Sequence, residues 1–217
     1  MESVSALSRL LDETANRAKE DIHGFIAGSS ELVVFGSSAC GLRTADSDID
    51  VLCVNESGEH IRNSQIDLLC ISETQLYSQE WLASELAGHI AAYGVWIKGE
   101  NGWRDRVRFD QSALSRKRRR VSAYAVALGA NWMKLSEPFK WKYSIKLRRE
   151  IQRKLLLEQG IPIPPTLILD EKWRSAPRHA EVVDFEISKL LCNSEPGFSS
   201  EIRERVWITR GWSKYLK

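Results

Sequence analysis

No uninterrupted apolar run in these 217 residues is long enough to cross a membrane as a helix. The start, Met1 to Ser5, has none of the basic-then-apolar layout of a secretory signal. The 4 cysteines, Cys40, Cys53, Cys70 and Cys192, follow no metal-ligand spacing. Two of them fall in apolar strand-like runs, so buried free thiols and a reducing cytoplasm are expected. The 4 histidines form no His-x-x-x-His pair, which argues against zinc. His23 and His89 fall in expected helices, His60 in a turn and His179 in a loop. No Gly-x-Ser-x-Gly elbow, Walker-type lysine loop or Rossmann glycine pattern occurs, and no internal repeat is visible.

The composition, 43% hydrophobic and 28% charged, is that of a soluble globular chain with room for a sizeable core. The net charge of +2 hides an asymmetry. Residues 1–111 carry 9 Lys and Arg against 18 Asp and Glu, a balance of −9. Residues 112–160 carry 13 against 3, a balance of +10, and residues 161–217 carry 9 against 8. The change of sign predicts a boundary near residue 111.

Apolar periodicity predicts a helix over 2–25, strands near 31–35, 49–54 and 65–71, a helix over 73–92 ended by Gly94, and a short strand at 95–97. Because the link after residue 54 is short and turn-rich, the strands at 49–54 and 65–71 are expected to pair as an antiparallel hairpin. Beyond residue 111 the chain reads as helical. Leu114, Val121, Ala125, Leu128 and Trp132 form one stripe, and Tyr143, Leu147, Ile151 and Leu155 another. Pro138 separates these two helices. Ile161 to Pro165 reads as an extended linker, and amphipathic stretches near 180–192 and 199–215 follow. The expected fold class is α+β: a small mixed or antiparallel sheet flanked by helices (1–110), then an all-helical basic region (111–217).

The richest segment follows the first strand. Gly36-Ser37-Ser38-Ala39-Cys40-Gly41 is a small turn, and Asp48 and Asp50 open the next apolar run, Ile49 to Val54. On a strand, residues i and i+2 point to one face, so the two carboxylates project together. Hard divalent cations take carboxylate oxygens together with substrate phosphates, and a small turn offers backbone N–H groups to a phosphate tail. Asp is disfavoured in strands, so acids inside runs of Ile, Val, Leu and Cys call for a cation. Asp46 shares the i, i+2 spacing but precedes the strand.

Gly36-Ser37, ten residues, then Asp48-Ile49-Asp50 resembles the pattern of the DNA polymerase beta-like nucleotidyltransferase superfamily. A third carboxylate on a neighbouring strand completes that pattern, and Asp67 in Gln65 to Leu69 supplies one. The resemblance covers roughly residues 30–100. It implies transfer of a nucleoside monophosphate, AMP foremost, from a triphosphate such as ATP to an acceptor hydroxyl. Asp48, Asp50 and Asp67 would hold two magnesium ions, and Gly36 and Ser37 would meet the phosphates. Relatives carry a basic residue where this chain has Cys40, and Arg43 is the nearest substitute.

The basic segment adds a second expectation. Arg116-Lys117-Arg118-Arg119-Arg120 is followed by Lys142, Lys146, Arg149 and Arg153 at i, i+4, i+7 and i+11. By the resemblance, Lys142 and Lys146 would reach the triphosphate. Arg116 to Arg120, Arg149 and Arg153 would favour a polyanionic acceptor such as transfer RNA, bound by charge and weakened by salt. Trp132, Trp141 and Tyr143 lie among the bases, where a core role competes with base stacking. A small-molecule or protein acceptor and a non-catalytic nucleotide-binding module remain open beside it.

Overall fold

A computed structural model describes residues 3–17, 22–45, 47–100, 102–194 and 196–211. The chain forms two compact units, residues 1–110 with 162–165, and residues 111–161 with 166–217.

The first unit is built on a five-stranded mixed sheet in the order β3-β4-β2-β1-β5. Its strands are β1 (Glu31–Phe35), β2 (Ile49–Val54), β3 (His60–Arg62), β4 (Ile66–Ile71) and β5 (Val95–Lys98). Both faces are covered, so the inner strands are apolar on alternate faces. Leu32, Val34, Val51, Cys53, Leu68 and Cys70 pack under α1 (Val4–Arg17) and α2 (Ile22–Ala27). Val33, Phe35, Leu52, Val54 and Ile71 face Leu76, Ala87, Ile90 and Trp103. Those come from α4 (Glu73–Leu76), α6 (Glu85–Tyr93) and the segment after β5. The four-residue α3 (Gly36–Ala39) follows β1, and α5 (Gln79–Leu82) lies between α4 and α6.

Several expectations change here. The helix expected over 2–25 is described as α1 and α2, with residues 18–21 outside the described part. The helix expected over 73–92 is three helices. Ser72, Ser78 and Ser84 each accept the backbone N–H three residues on, and Ser72 with Gln75 makes a full capping box. Each serine restarts the helix, and such a cap is worth about 1 kcal/mol.

The expected antiparallel hairpin of 49–54 with 65–71 is wrong: β2 and β4 run parallel. The link holds an extra strand, β3, which turns the chain before β4 forms. Asn63 makes that turn, its Oδ1 accepting the N–H groups of Gln65 and Ile66 at 2.9 and 3.0 Å. β4 then inserts between β3, antiparallel, and β2, parallel.

The second unit is helical. It holds α7 (Gln111–Asn131), α8 (Glu137–Glu158), α9 (Thr166–Ser175), α10 (Pro177–Leu190) and α11 (Pro196–Gly211). Pro138 sits in the first turn of α8, where a missing N–H costs no helix bond. Val121, Ala125, Leu128, Trp132, Leu147 and Ile151 form the core with Trp173, Val183, Ile187, Ile202 and Val206, while Tyr143 and Leu155 pack against it. Trp132 is therefore a core residue rather than a stacking platform. α9 falls where no helix was expected, and the expected stretch to 215 runs past the described residues. Ile161 to Pro165 is extended, yet Pro162–Pro165 pack with the first unit. Ile163 is buried and its carbonyl accepts His89 Nδ1 at 2.7 Å, so this segment is not a free linker.

Candidate active site

Strand register assembles the acids. Phe35 aligns with Asp50 across β1 and β2, Asp50 with Asp67 across β2 and β4, and Arg62 with Asp67 across β3 and β4. Aligned residues on neighbouring strands share a face, so Phe35, Asp50, Asp67 and Arg62 stand in one row. Asp48, just before β2, joins from the same side. Asp48, Asp50 and Asp67 each offer a carboxylate oxygen, and these atoms lie within 4.8 Å of one another. Asp46 lies outside the described residues.

Gly36 is demanded by this cluster. Its φ of 68° is a left-handed conformation that a side chain resists, and a Cβ there would stand 2.0 Å from Asp50 Oδ2. The glycine turn and the carboxylate thus interlock. Ser37 is half-buried beside it, and its carbonyl accepts the Leu42 N–H at 2.9 Å, which folds the turn back on itself. The hydroxyl of the next residue, Ser38, is buried and has no hydrogen-bond partner among the described residues. Arg43 is exposed just past the turn.

The electrostatics fit a cation. Burial, then the charges of Asp48 and Asp67, push the Asp50 carboxyl up to about 7, while Arg62 pulls it back. Asp50 therefore pays for sitting beside two like charges. Three hard oxygen donors at this spacing match the ligand preference of magnesium or a similar ion.

Asp67 has two partners that sequence reasoning missed. His60 Nε2 donates to its Oδ1 at 2.6 Å, and Arg62 Nε to its Oδ2 at 3.2 Å. His60 was expected in a turn; it lies on β3 instead. The signal was the alternation His60-Ile61-Arg62, two polar residues on one face of a strand too short to register as one.

The basic residues fare differently. Lys117 was expected on a surface open to RNA, but its side chain is fully buried and its Nζ donates to Glu150 at 2.7 Å. It projects from α7 onto Glu150 of α8, and a buried ammonium persists only when paired. Arg118 pairs with Glu158, Arg149 with Asp170, and Arg153 with Glu150. Arg116, Arg119, Lys142 and Lys146 are exposed. Lys142 and Lys146 belong to the helical unit, and Lys146 Nζ stands 5.3 Å over the Tyr124 ring.

A five-stranded mixed sheet thus carries a glycine turn locked against an aspartate and three convergent carboxylates that could hold a metal ion. Residues 14–108 match the family model of the nucleotidyltransferase domain. That match falls within the first unit. A nucleotidyltransferase-like protein from Exiguobacterium sibiricum 255-15 has a solved structure similar to this chain. The identity is 15% over 93% of this chain and 73% of that one, with a TM-score of 0.39. No curated protein matches the chain.

Proposed function

We propose that the protein moves a nucleoside monophosphate, AMP from ATP first among them, to an acceptor hydroxyl with the help of magnesium. The observation that carries this is the convergence of Asp48, Asp50 and Asp67 beside Gly36. In this reading the three aspartates hold the metal, and Gly36 leaves room for the triphosphate to approach the backbone. Ser37 offers its hydroxyl and N–H to a phosphate oxygen. Divalent metal in such a site neutralises phosphate charge and lowers the pKa of an acceptor hydroxyl. In the same reading Asp67, at the outer end of the acidic row, assists removal of the acceptor proton. Arg43, exposed just past the glycine turn, is a proposed phosphate contact on the strength of its charge and exposure.

For the acceptor, the exposed cations Arg116, Arg119, Lys142 and Lys146 favour RNA in the proposal, since Lys117, Arg118, Arg149 and Arg153 have acidic partners inside the helical unit. The test of the core reading is transfer of label from α-labelled triphosphates to total RNA. Asp48→Ala combined with Asp50→Ala is expected to lower transfer about a thousandfold, near 4 kcal/mol of barrier, with an unchanged circular dichroism spectrum. Full activity in the folded double variant would overturn it.

A further inference from the structure

Arg62 is the residue the catalytic reading leaves unexplained. Its guanidinium lies on Asp67, yet its side chain is 69% exposed. Pairs that wet contribute little to stability, so stability does not account for its place. Its place is nonetheless fixed by the sheet, since Arg62 is the direct cross-strand neighbour of Asp67 and ends the row that contains Asp50. Together with the His60 hydrogen bond to the other oxygen, both Asp67 oxygens are already engaged.

Resting on the metal-site reading above, we infer that Arg62 is a positioning residue that serves as the site's internal counter-ion, holding Asp67 in line when no metal is bound and weakening the grip on metal when it is. The reasoning is electrostatic. Three carboxylates within 4.8 Å repel one another, and one fixed positive charge at the edge of the row relieves that repulsion. The same charge opposes any dication that takes Asp67 as a ligand. A unit charge facing a dication across roughly 5 Å in near-aqueous surroundings weakens binding by about tenfold. His60 keeps its own hold on Asp67, so the carboxylate stays placed when the guanidinium yields.

The test is Mn2+ binding to the full-length protein, followed by paramagnetic resonance at fixed ionic strength, together with thermal melting with and without the ion. Arg62→Gln is expected to bind Mn2+ about tenfold more tightly than wild type and to melt slightly lower without metal, the order reversing at saturation because the tighter binding adds more stability to the variant. Arg62→Lys, which keeps the charge, is expected to bind close to wild type. Unchanged or weaker binding in Arg62→Gln would overturn the inference, because a merely structural support cannot tighten metal binding when removed. Equal tightening in Arg62→Lys would overturn it too, since charge would not be the cause. Absence of Mn2+ binding in wild type and variants alike would remove the metal reading itself.

Discussion

The two units treat charge in opposite ways. In the first, acids gather: Asp48, Asp50 and Asp67 bring carboxylate oxygens within 4.8 Å of one another, and Asp67 is held from the sheet edge by His60 and Arg62. In the helical unit the charges are buried in pairs. Lys117 and Arg153 share Glu150, Arg148 and Arg149 share Asp170, and Lys154 holds Glu186. Arg148 also stacks 5.3 Å over the Trp173 ring in the core. A charge that the fold neutralises is part of its scaffold. A charge that the fold concentrates and leaves strained waits for something from outside. Count of residues by sign, which makes the helical unit look like a polyanion site, does not separate these cases.

Beyond the loss of transfer expected from the double aspartate variant, the largest way to break the contrast is at Lys117. Lys117→Ala leaves Glu150 in a half-closed site with fewer cations around it. It is expected to cost about 3 kcal/mol in urea unfolding, as buried pairs do when one member goes. A surface lysine held only for nucleic acid would cost almost nothing. Lys117→Met with Glu150→Leu is expected to recover much of the loss, because an apolar pair of similar size removes the stranded charge.

A smaller effect sharpens the other side. With Asp50 raised to about 7 in the folded protein, the unfolded chain releases that proton at a lower pH than the native one. The metal-free protein therefore has its full share of stability from this group below the ordinary carboxyl value of 3.8 and loses it as pH rises through about 7. Metal binding must expel the same proton. Mn2+ affinity is expected to fall about tenfold per pH unit below that value and to level off above it, measured by titration calorimetry. A flat profile from pH 5 to pH 8 would show that Asp50 is ionised throughout.

The smallest structural effect belongs to Arg116 and Arg119. Replacing both by Gln is expected to shift unfolding by less than about 0.5 kcal/mol, as exposed positions do. RNA binding, followed by fluorescence anisotropy over a salt series, is expected to weaken and to lose about two units of its salt slope. RNA binding that ignores the change would direct the search to a small-molecule or protein acceptor.

The acidic row was legible because an apolar strand has little reason to contain aspartate, and Ile49-Asp50-Val51 and Ile66-Asp67-Leu68 each contain one. The mixed α+β character was legible from the change of period, from two in the first half to nearly four in the second. The direction of β4 was not. His60-Ile61-Arg62 is half polar and only three residues long, so it read as turn, and without it the short link implied a hairpin. The triple helix start was present as Ser72, Ser78 and Ser84, but continuous apolar spacing through Leu76, Leu82, Leu86 and Ile90 masked it. The burial of Lys117 was illegible for another reason. Its partner lies 33 residues away, on a different helix, and nothing local marks either of them.

The four residues Pro162–Pro165 give the first unit an unusual parentage. It is assembled from a long opening stretch and a short return visit, so no single cut in the gene separates it whole. A fragment ending at Asp110 would lack the Ile163 carbonyl that His89 holds and the apolar side chain buried there. Shuffling this domain onto a different helical partner, by nature or by design, would have to carry that return visit along or find a substitute for it.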